Sequence, residues 1–146
     1  MEKKPTLTIH EFFTKLQNIE DRDQRVAALR KHAYKQIKTV LQLAYNDNVE
    51  LDLPEGAPPY RPNPEKNFPI SRMSSVFRTI GYCVKGNKYS QIRKEKWFIS
   101  ILEQLHPEDA KILIAAKDGK LHTFSFKKYS KITKVLVKDA LPEILK

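Results

Sequence analysis

The side chains best suited to nucleophilic, acid–base or metal chemistry are few in this sequence and widely spaced. Cys83 is the only cysteine, and it lies on a predicted apolar helix face, where a thiol usually packs as a small hydrophobe and not as a nucleophile. Four histidines are scattered along the chain without a His-x-x-x-His pair or a cysteine partner, the spacings that zinc sites use. These are His10, His32, His106 and His122. We therefore expect no catalytic residue, no metal and no cofactor.

His106-Pro107-Glu108 superficially matches half of a zinc-deaminase signature. The other half is Pro-Cys-x-x-Cys, which a chain with one cysteine does not contain. Proline at a first helical position followed by acids is typical of a helix start, because carboxylates suit the positive end of the helix dipole. We expect His106 to cap that helix, and Glu108 and Asp109 to complement its dipole instead of holding a metal. With no glycine-rich phosphate loop either, the sequence predicts a protein that is not an enzyme.

Basic residues are the remaining chemical signal. The formal net charge is +10; residues 1–83 carry 13 basic and 10 acidic side chains, whereas residues 84–146 carry 14 and 7. A surplus concentrated in one region favours contact with a polyanion such as nucleic acid. One cluster surrounds a predicted helix start and contains Lys85, Lys88, Arg93, Lys94 and Lys96. The other contains Lys120, Lys127, Lys128, Lys131 and Lys134.

The second cluster is interleaved with Phe124, Phe126 and Tyr129. Cations beside exposed aromatic rings suit a nucleic-acid backbone whose bases can stack. Our leading hypothesis is therefore nonspecific nucleic-acid binding through a C-terminal basic surface. The predicted phosphate contacts are Lys85, Lys88, Arg93, Lys94, Lys127, Lys128 and Lys131. The predicted stacking residues are Phe126 and Tyr129.

Other interpretations of the charge stay open at this stage. Lysines often only solvate a helix face, and the aromatics could anchor the loop to the core. Lysine predominates over arginine, the residue favoured for bidentate base contacts, which argues against sequence-specific recognition. A helix-turn-helix fits poorly because its second helix would present Glu108 and Asp109 to the groove. The alternative class is a protein that acts through protein–protein contacts.

The elements that must position these residues are predicted to be helices. Apolar residues recur at steps of three and four over most of the chain, and the expected fold is one all-α domain, 1–146, of five to six helices. The second helical stretch is long, from Asp21 to about Tyr45, and is compatible with a break near His32. Leu121–Phe126 alternates in a way that would suit a small β-hairpin arm within a basic aromatic loop, 120–131. No apolar run approaches the ~18 residues of a membrane span, and the first residues do not resemble a secretory signal.

Six of the nine prolines lie between Leu51 and Pro69. Each proline removes a backbone donor and disfavours helix at the preceding residue. Residues 51–69 also contain apolar side chains, among them Leu53 and Tyr60. We expect an extended proline-rich strap packed over the helices, with disorder as the alternative.

Several motifs together resemble a small uncharacterised protein family of large contractile-tailed phages. The similar segments include the strap from Leu53 to Pro62, the helix start at Ser90-Gln91, the run from Leu105 to Ala115, and Ile132–Val137 leading to Ala140-Leu141-Pro142. The resemblance implies a helical fold, a phage origin and a place in the cytoplasm of an infected bacterium. In that setting the alternatives to nucleic-acid binding are an adaptor or inhibitor that binds a host or phage complex, and a minor virion component. It implies no activity and no functional residues. The chain departs from the family in its longer segment His122–Lys131.

Overall fold

A computed structural model describes residues 7–64, 73–123 and 128–146, without the side chain of Thr123. Within these ranges the chain forms seven α-helices and, between or after them, short 3₁₀ segments. The α-helices are α1 (Ile9–Gln17), α2 (Arg22–His32), α3 (Lys35–Tyr45), α4 (Met73–Phe77), α5 (Gln91–Gln104), α6 (Pro107–Lys117) and α7 (Lys134–Ala140). The 3₁₀ segments are Arg78–Cys83, Leu121–Thr123 and Pro142–Leu145.

The all-α prediction is confirmed over the described residues, although the helices number seven and not five to six. The long second stretch is two helices, because Ala33 and Tyr34 adopt extended backbone between α2 and α3. The predicted β-hairpin is not seen where its residues are described. The Lys120 amide instead donates to the Ala115 carbonyl at 2.8 Å, which turns the chain back against α6 through Gly119 (φ 69°). Residues 124–126 of that prediction lie outside the described ranges.

Helix starts follow the capping residues that the sequence contains. The Ser90 hydroxyl accepts from the Arg93 amide at the start of α5, and the Thr133 hydroxyl accepts from the Leu136 amide at the start of α7. His106 caps α6 as predicted, its Nδ1 accepting from the Glu108 amide at 3.1 Å. Such caps satisfy amides that have no partner inside the helix.

One cluster of buried apolar side chains draws on all seven helices. Its fully buried members include Phe13 of α1, Leu41 of α3, Phe98 of α5, Leu113 of α6 and Val137 of α7. The α-helices therefore share a single core.

The described part of the strap, residues 51–64, runs extended over α5 and α6. Leu51 is buried and pairs with Val84 in an isolated bridge, while Leu53 and Tyr60 pack partly against the core. The Lys117 ammonium donates to the Pro54 carbonyl at 2.8 Å, and the Asp118 carboxylate accepts from the Gly56 amide. This part of the strap is thus packed over the helices as expected; residues 65–69 lie outside the described ranges.

Among the helices of the described residues, none combines the length and the apolar character that crossing a membrane requires.

Candidate nucleic-acid interface

Three of the four candidate cations near the start of α5 are exposed. Lys85, Lys88 and Arg93 have accessible side chains. The ammonium of Lys85 lies 3.9 Å from a Glu50 carboxylate oxygen, with both side chains about two-thirds exposed, and such a pair is weak in water. These three residues can therefore meet a polyanion.

Lys94 is a correction to the predicted contact set, because its side chain is 1% exposed. Its ammonium donates to an Asp52 carboxylate oxygen at 3.2 Å and to the Val84 carbonyl at 3.0 Å. A buried ammonium needs such partners to offset its lost hydration. Lys94 joins α5 to the strap and to the segment that precedes α5, and its charge is compensated by the Asp52 carboxylate within the protein.

The second basic cluster is described only in part. Lys128 and Lys131 are exposed, but Tyr129 is 1% exposed and packs edge-on against Phe13, with ring centroids 5.6 Å apart. Tyr129, predicted as a stacking residue, therefore presents no ring face to a base, since its ring belongs to the core. Phe126 and Lys127 lie outside the described residues.

The two basic clusters are attached to different parts of the fold. The first stands on α5 and on the segment that precedes it. The second is tied to α1, because the Lys131 amide donates to the Gln17 side-chain oxygen at 2.9 Å. The Lys134 ammonium is 3.5 Å from an Asp47 carboxylate oxygen beyond the end of α3. Both side chains of this pair are exposed, as they are in the pair of Lys85 with Glu50, so this pair too is weak in water.

Three aromatic rings gather beside the first cluster, a feature that the sequence analysis missed. The rings of Tyr89 and Trp97 are 5.1 Å apart and nearly perpendicular, and Tyr82 lies 5.6 Å from each. Tyr82 is 45% exposed, and the other two are half-buried. The Tyr-x₆-Tyr-x₇-Trp spacing around the basic run is the signal in the sequence that could have found this group.

Two cations lie over these rings. The Arg93 guanidinium carbon is 5.8 Å from the Tyr89 centroid and 5.6 Å from the Trp97 centroid. The Lys88 ammonium is 5.5 Å from the Tyr89 centroid. These distances are within the range of cation–π attraction. We call Tyr82, Lys88, Tyr89, Arg93 and Trp97 the aromatic-basic patch.

Local hydrogen bonds order the loop that carries the aromatic-basic patch. The Asn87 side chain donates to the Tyr82 carbonyl at 2.8 Å and accepts from the Tyr89 amide at 3.1 Å. Gly86 permits the turn with a φ of 97°, a value that favours glycine. Asn87 thus fixes the two tyrosines relative to each other before any ligand arrives.

The charge around the aromatic-basic patch is strongly positive. Between Tyr82 and Trp97 the sequence contains five basic side chains and one acidic side chain, Glu95. Lys94 is paired internally, which leaves Lys85, Lys88, Arg93 and Lys96 at the surface. Ile92 is also 66% exposed there. The surface combines cations, accessible rings and one apolar side chain.

A second cluster of polar residues forms where the first turns of α1 and α6 meet. His10 and His106, which the sequence analysis treated as scattered, have stacked rings with centroids 4.4 Å apart. The Asp109 carboxylate is fully buried and accepts from the Ile9 and His10 amides at 3.3 and 2.9 Å. The His10 Nδ1 lies 2.6 Å from the same carboxylate. Asp109 thereby caps α1 from another helix.

The geometry of this cluster favours capping over catalysis. Thr8 Oγ1 and Asp109 Oδ1 both meet the Nδ1 atom of His10, whereas a catalytic triad needs the two partners on opposite ring nitrogens. One ligand atom from each of His10, His106 and Asp109 lies within 4.8 Å of the others. However, the lone pairs of the two stacked rings lie in planes inclined by only 26°, and Nδ1 of His106 already accepts from the Glu108 amide. A shared metal would require these contacts to break.

Hydrogen bonds at this junction shift two pKa values. The hydrogen bond to Asp109 is the main cause that raises the pKa of His10 above its usual 6.5, against the opposing effect of burial. Hydrogen bonds with Thr8 are the main cause that lowers the pKa of Glu11. The cluster therefore favours an imidazolium at His10 held by a buried carboxylate.

Cys83 is buried, as predicted. Burial raises the pKa of its thiol to about 11, and its Sγ lies 3.5 Å from the Lys94 carbonyl oxygen. A thiol with so little thiolate at neutral pH is a poor nucleophile.

Comparison with known proteins identifies a family without assigning a role. The chain matches a family described as "Family of unknown function (DUF6433)" over residues 12–123. This match covers well over half of the sequence, so the chain belongs to that family. No curated protein and no solved structure matches it.

Proposed function

We propose that this member of the DUF6433 family binds nucleic acid without sequence specificity, as a non-enzymatic accessory protein, through the aromatic-basic patch. The observation that carries the proposal is Arg93, whose guanidinium lies 5.8 and 5.6 Å from the centroids of Tyr89 and Trp97. An arginine placed in this way can contact a phosphate while the rings beside it contact bases or sugars.

Weak sequence preference follows from the chemistry of the surface. Three of its four exposed cations, Lys85, Lys88 and Lys96, are lysines, which meet phosphates as point charges and do not read base edges in pairs. The start of α6 is also poorly suited to enter a groove, because Asp109 is buried there against α1. Phosphate contacts would supply most of the affinity.

Lys128 and Lys131 remain in the proposal as a secondary contact, together with Phe126 and Lys127 outside the described residues. The origin in a contractile-tailed phage and the cytoplasm of an infected bacterium are carried by the resemblance in sequence and belong to the same proposal. An adaptor or inhibitor of a host or phage complex, or a minor virion component, is the alternative class.

The strap supports nucleic acid over that alternative. A strap that served as a protein-docking surface would present large apolar side chains to solvent. In the described strap, Leu51 is buried, and Leu53 and Tyr60 pack partly against the core. The large apolar side chains that are exposed elsewhere in the described chain are Tyr82, Ile92 and Val135, and the first two lie at the aromatic-basic patch or beside it.

The test is the salt dependence of binding to fluorescent oligonucleotides of unrelated sequences. If the surface neutralises about three phosphates, the logarithm of the affinity falls against the logarithm of salt concentration with a slope of roughly −2 for single strands. K88A/R93A removes two of these cations and should make the slope shallower by about 1.4. The sequences should differ little in affinity.

The matched control is K31A/K138A, which removes the same charge from two exposed residues on α2 and α7. It should leave the slope close to that of the unmodified protein. If the slope becomes shallower by the same amount in both double variants, net charge alone explains the change. That result would contradict the assignment to the aromatic-basic patch. No binding of any oligonucleotide at low salt would remove the function, and a stoichiometric protein partner that survives nuclease treatment would favour the adaptor.

A further inference from the structure

We infer that the ligand of the aromatic-basic patch is an unpaired strand, whose bases stack on Tyr82 and Trp97, and not a duplex. This inference rests on the proposed function and specifies its substrate class. The first step concerns the rings. Tyr82 is 45% exposed, and Trp97 is half-buried beside it, with the two ring planes inclined by 44°. Accessible aromatic surface of this kind suits a planar base.

A duplex gains little from these rings. Its bases are already stacked on one another, and reaching one requires unstacking that costs a few kcal/mol per base. A duplex would thus contact the cations without stacking its bases on the rings. An unpaired strand can use both, because its backbone follows the positive surface while its bases turn onto the rings.

The position of the cations supports the same ligand. Lys88 and Arg93 lie within 6 Å of the ring centroids, so a phosphate that meets either cation places its own nucleotide next to a ring. In the second cluster the Lys128 ammonium also lies 5.5 Å from a ring centroid, that of Tyr129, but this ring is 1% exposed and presents no face on which a base could stack. Cations next to accessible rings, which an unpaired strand can use and a duplex cannot, are therefore found among the described residues at the start of α5.

The loop is ordered before binding. Asn87 joins the Tyr82 carbonyl to the Tyr89 amide, and Trp97 stands on the second turn of α5. A ligand that stacks there does not need to order the loop first, which favours affinity.

Trp97 provides a direct readout because it is the only tryptophan in the chain. The full-length protein would be titrated with three probes: oligo(dT), a blunt DNA hairpin duplex whose loop is a base-free ethylene-glycol linker, and heparin. Excitation at the red edge of the absorption band selects the indole. We expect oligo(dT) to quench Trp97 emission at saturation, and heparin and the hairpin, which supply charge without free bases, to leave most of the emission intact.

Substitutions separate stacking from charge. Tyr82→Ala should weaken binding of oligo(dT) by roughly tenfold or more while hairpin and heparin affinities change little. Tyr82→Phe should retain the oligo(dT) affinity, because stacking uses the ring and not the hydroxyl. Circular dichroism of both variants verifies that they fold. Oligo(U) in place of oligo(dT) reports whether ribose is accepted equally.

The outcomes distinguish the two proposals. Quenching by oligo(dT) alone, lost in Tyr82→Ala and kept in Tyr82→Phe, supports the unpaired strand. Equal quenching by all three probes, or equal affinity of Tyr82→Ala and the unmodified protein for oligo(dT), overturns it while salt-dependent nucleic-acid binding stands. Absence of binding to both nucleic acids removes the proposed function together with this inference.

Discussion

The two basic segments of this protein contain similar residues, but the aromatic rings described in them lie in opposite environments. Around the start of α5, the rings of Tyr82 and Trp97 are accessible and cations lie beside them. Between Lys128 and Lys131, the ring of Tyr129 is buried against Phe13. Alternation of cations and aromatics along a sequence therefore does not establish a stacking surface. An aromatic ring can stack on a base only where the fold leaves the ring at the surface and does not bury it in the core.

The largest expected effect is on stability, at Tyr129. Tyr129→Ala removes a ring from the core and should lower the free energy of unfolding by roughly 3–5 kcal/mol. Tyr82→Ala, at the exposed ring, should cost about 1 kcal/mol or less. Urea unfolding followed by circular dichroism measures both. A loss at Tyr82 as large as that at Tyr129 would mean that both rings are structural, and the contrast between the segments would disappear.

The next effect compares two lysines six residues apart. Lys94→Met leaves the Val84 carbonyl and the Asp52 carboxylate without their buried donor, and should lower the free energy of unfolding by about 2 kcal/mol. Lys88→Met, at an exposed position, should change it by less than about 0.5 kcal/mol.

Binding should show the reverse order for these two lysines. Lys88→Met should weaken oligonucleotide binding at low salt, whereas folded Lys94→Met should bind nearly as the unmodified protein does. Oligonucleotide affinity and the urea midpoint, measured on the same samples, rank the two variants by binding and by stability. Weaker binding by Lys94→Met, with stability unchanged, would restore Lys94 to the contact set.

The smallest effect is a pH dependence at the junction of α1 and α6. His10 has a raised pKa in the folded protein, so its contribution to stability is fully present below the unfolded value of 6.5 and is lost as the pH rises through the folded value. The groups that face it are Asp109, Glu11, Glu108 and His106.

His10→Gln should remove this part of the pH dependence and cost less than about 1 kcal/mol near neutral pH, because the raised pKa is its only charge-linked contribution there. Urea midpoints between pH 5.5 and 8.5 would measure it for both proteins. A stability of the unmodified protein that rises over this interval would contradict the sign. Oligonucleotide binding of folded His10→Gln should be unchanged, which separates this junction from the aromatic-basic patch.

Sequence reasoning succeeded where the determining contacts are local. Ser90 and His106 cap α5 and α6 through bonds to amides two or three residues away, and Pro107 marks the start of α6 directly. The hydrophobic period gave the helical class because it needs only neighbouring turns.

The errors concern contacts between distant parts of the chain. Lys94 is buried because Asp52, on the strap, reaches its ammonium, and Asp109 is buried because α1 supplies two amides. Tyr129 is buried because Phe13 lies next to it. None of these partners is near in sequence, so charge and ring counts in a local window could not separate surface residues from interior ones.

The most direct test of the central claim is a map of the binding surface by NMR. ¹⁵N-labelled protein would be titrated with oligo(dT), and shifts of the Trp97 indole N–H and of the backbone amides from Tyr82 to Trp97 would be compared with those from Lys128 to Lys134. If the strand binds at the aromatic-basic patch, the larger shifts occur between Tyr82 and Trp97 and include the indole N–H. Shifts confined to Lys128–Lys134, with the indole unmoved, would contradict it.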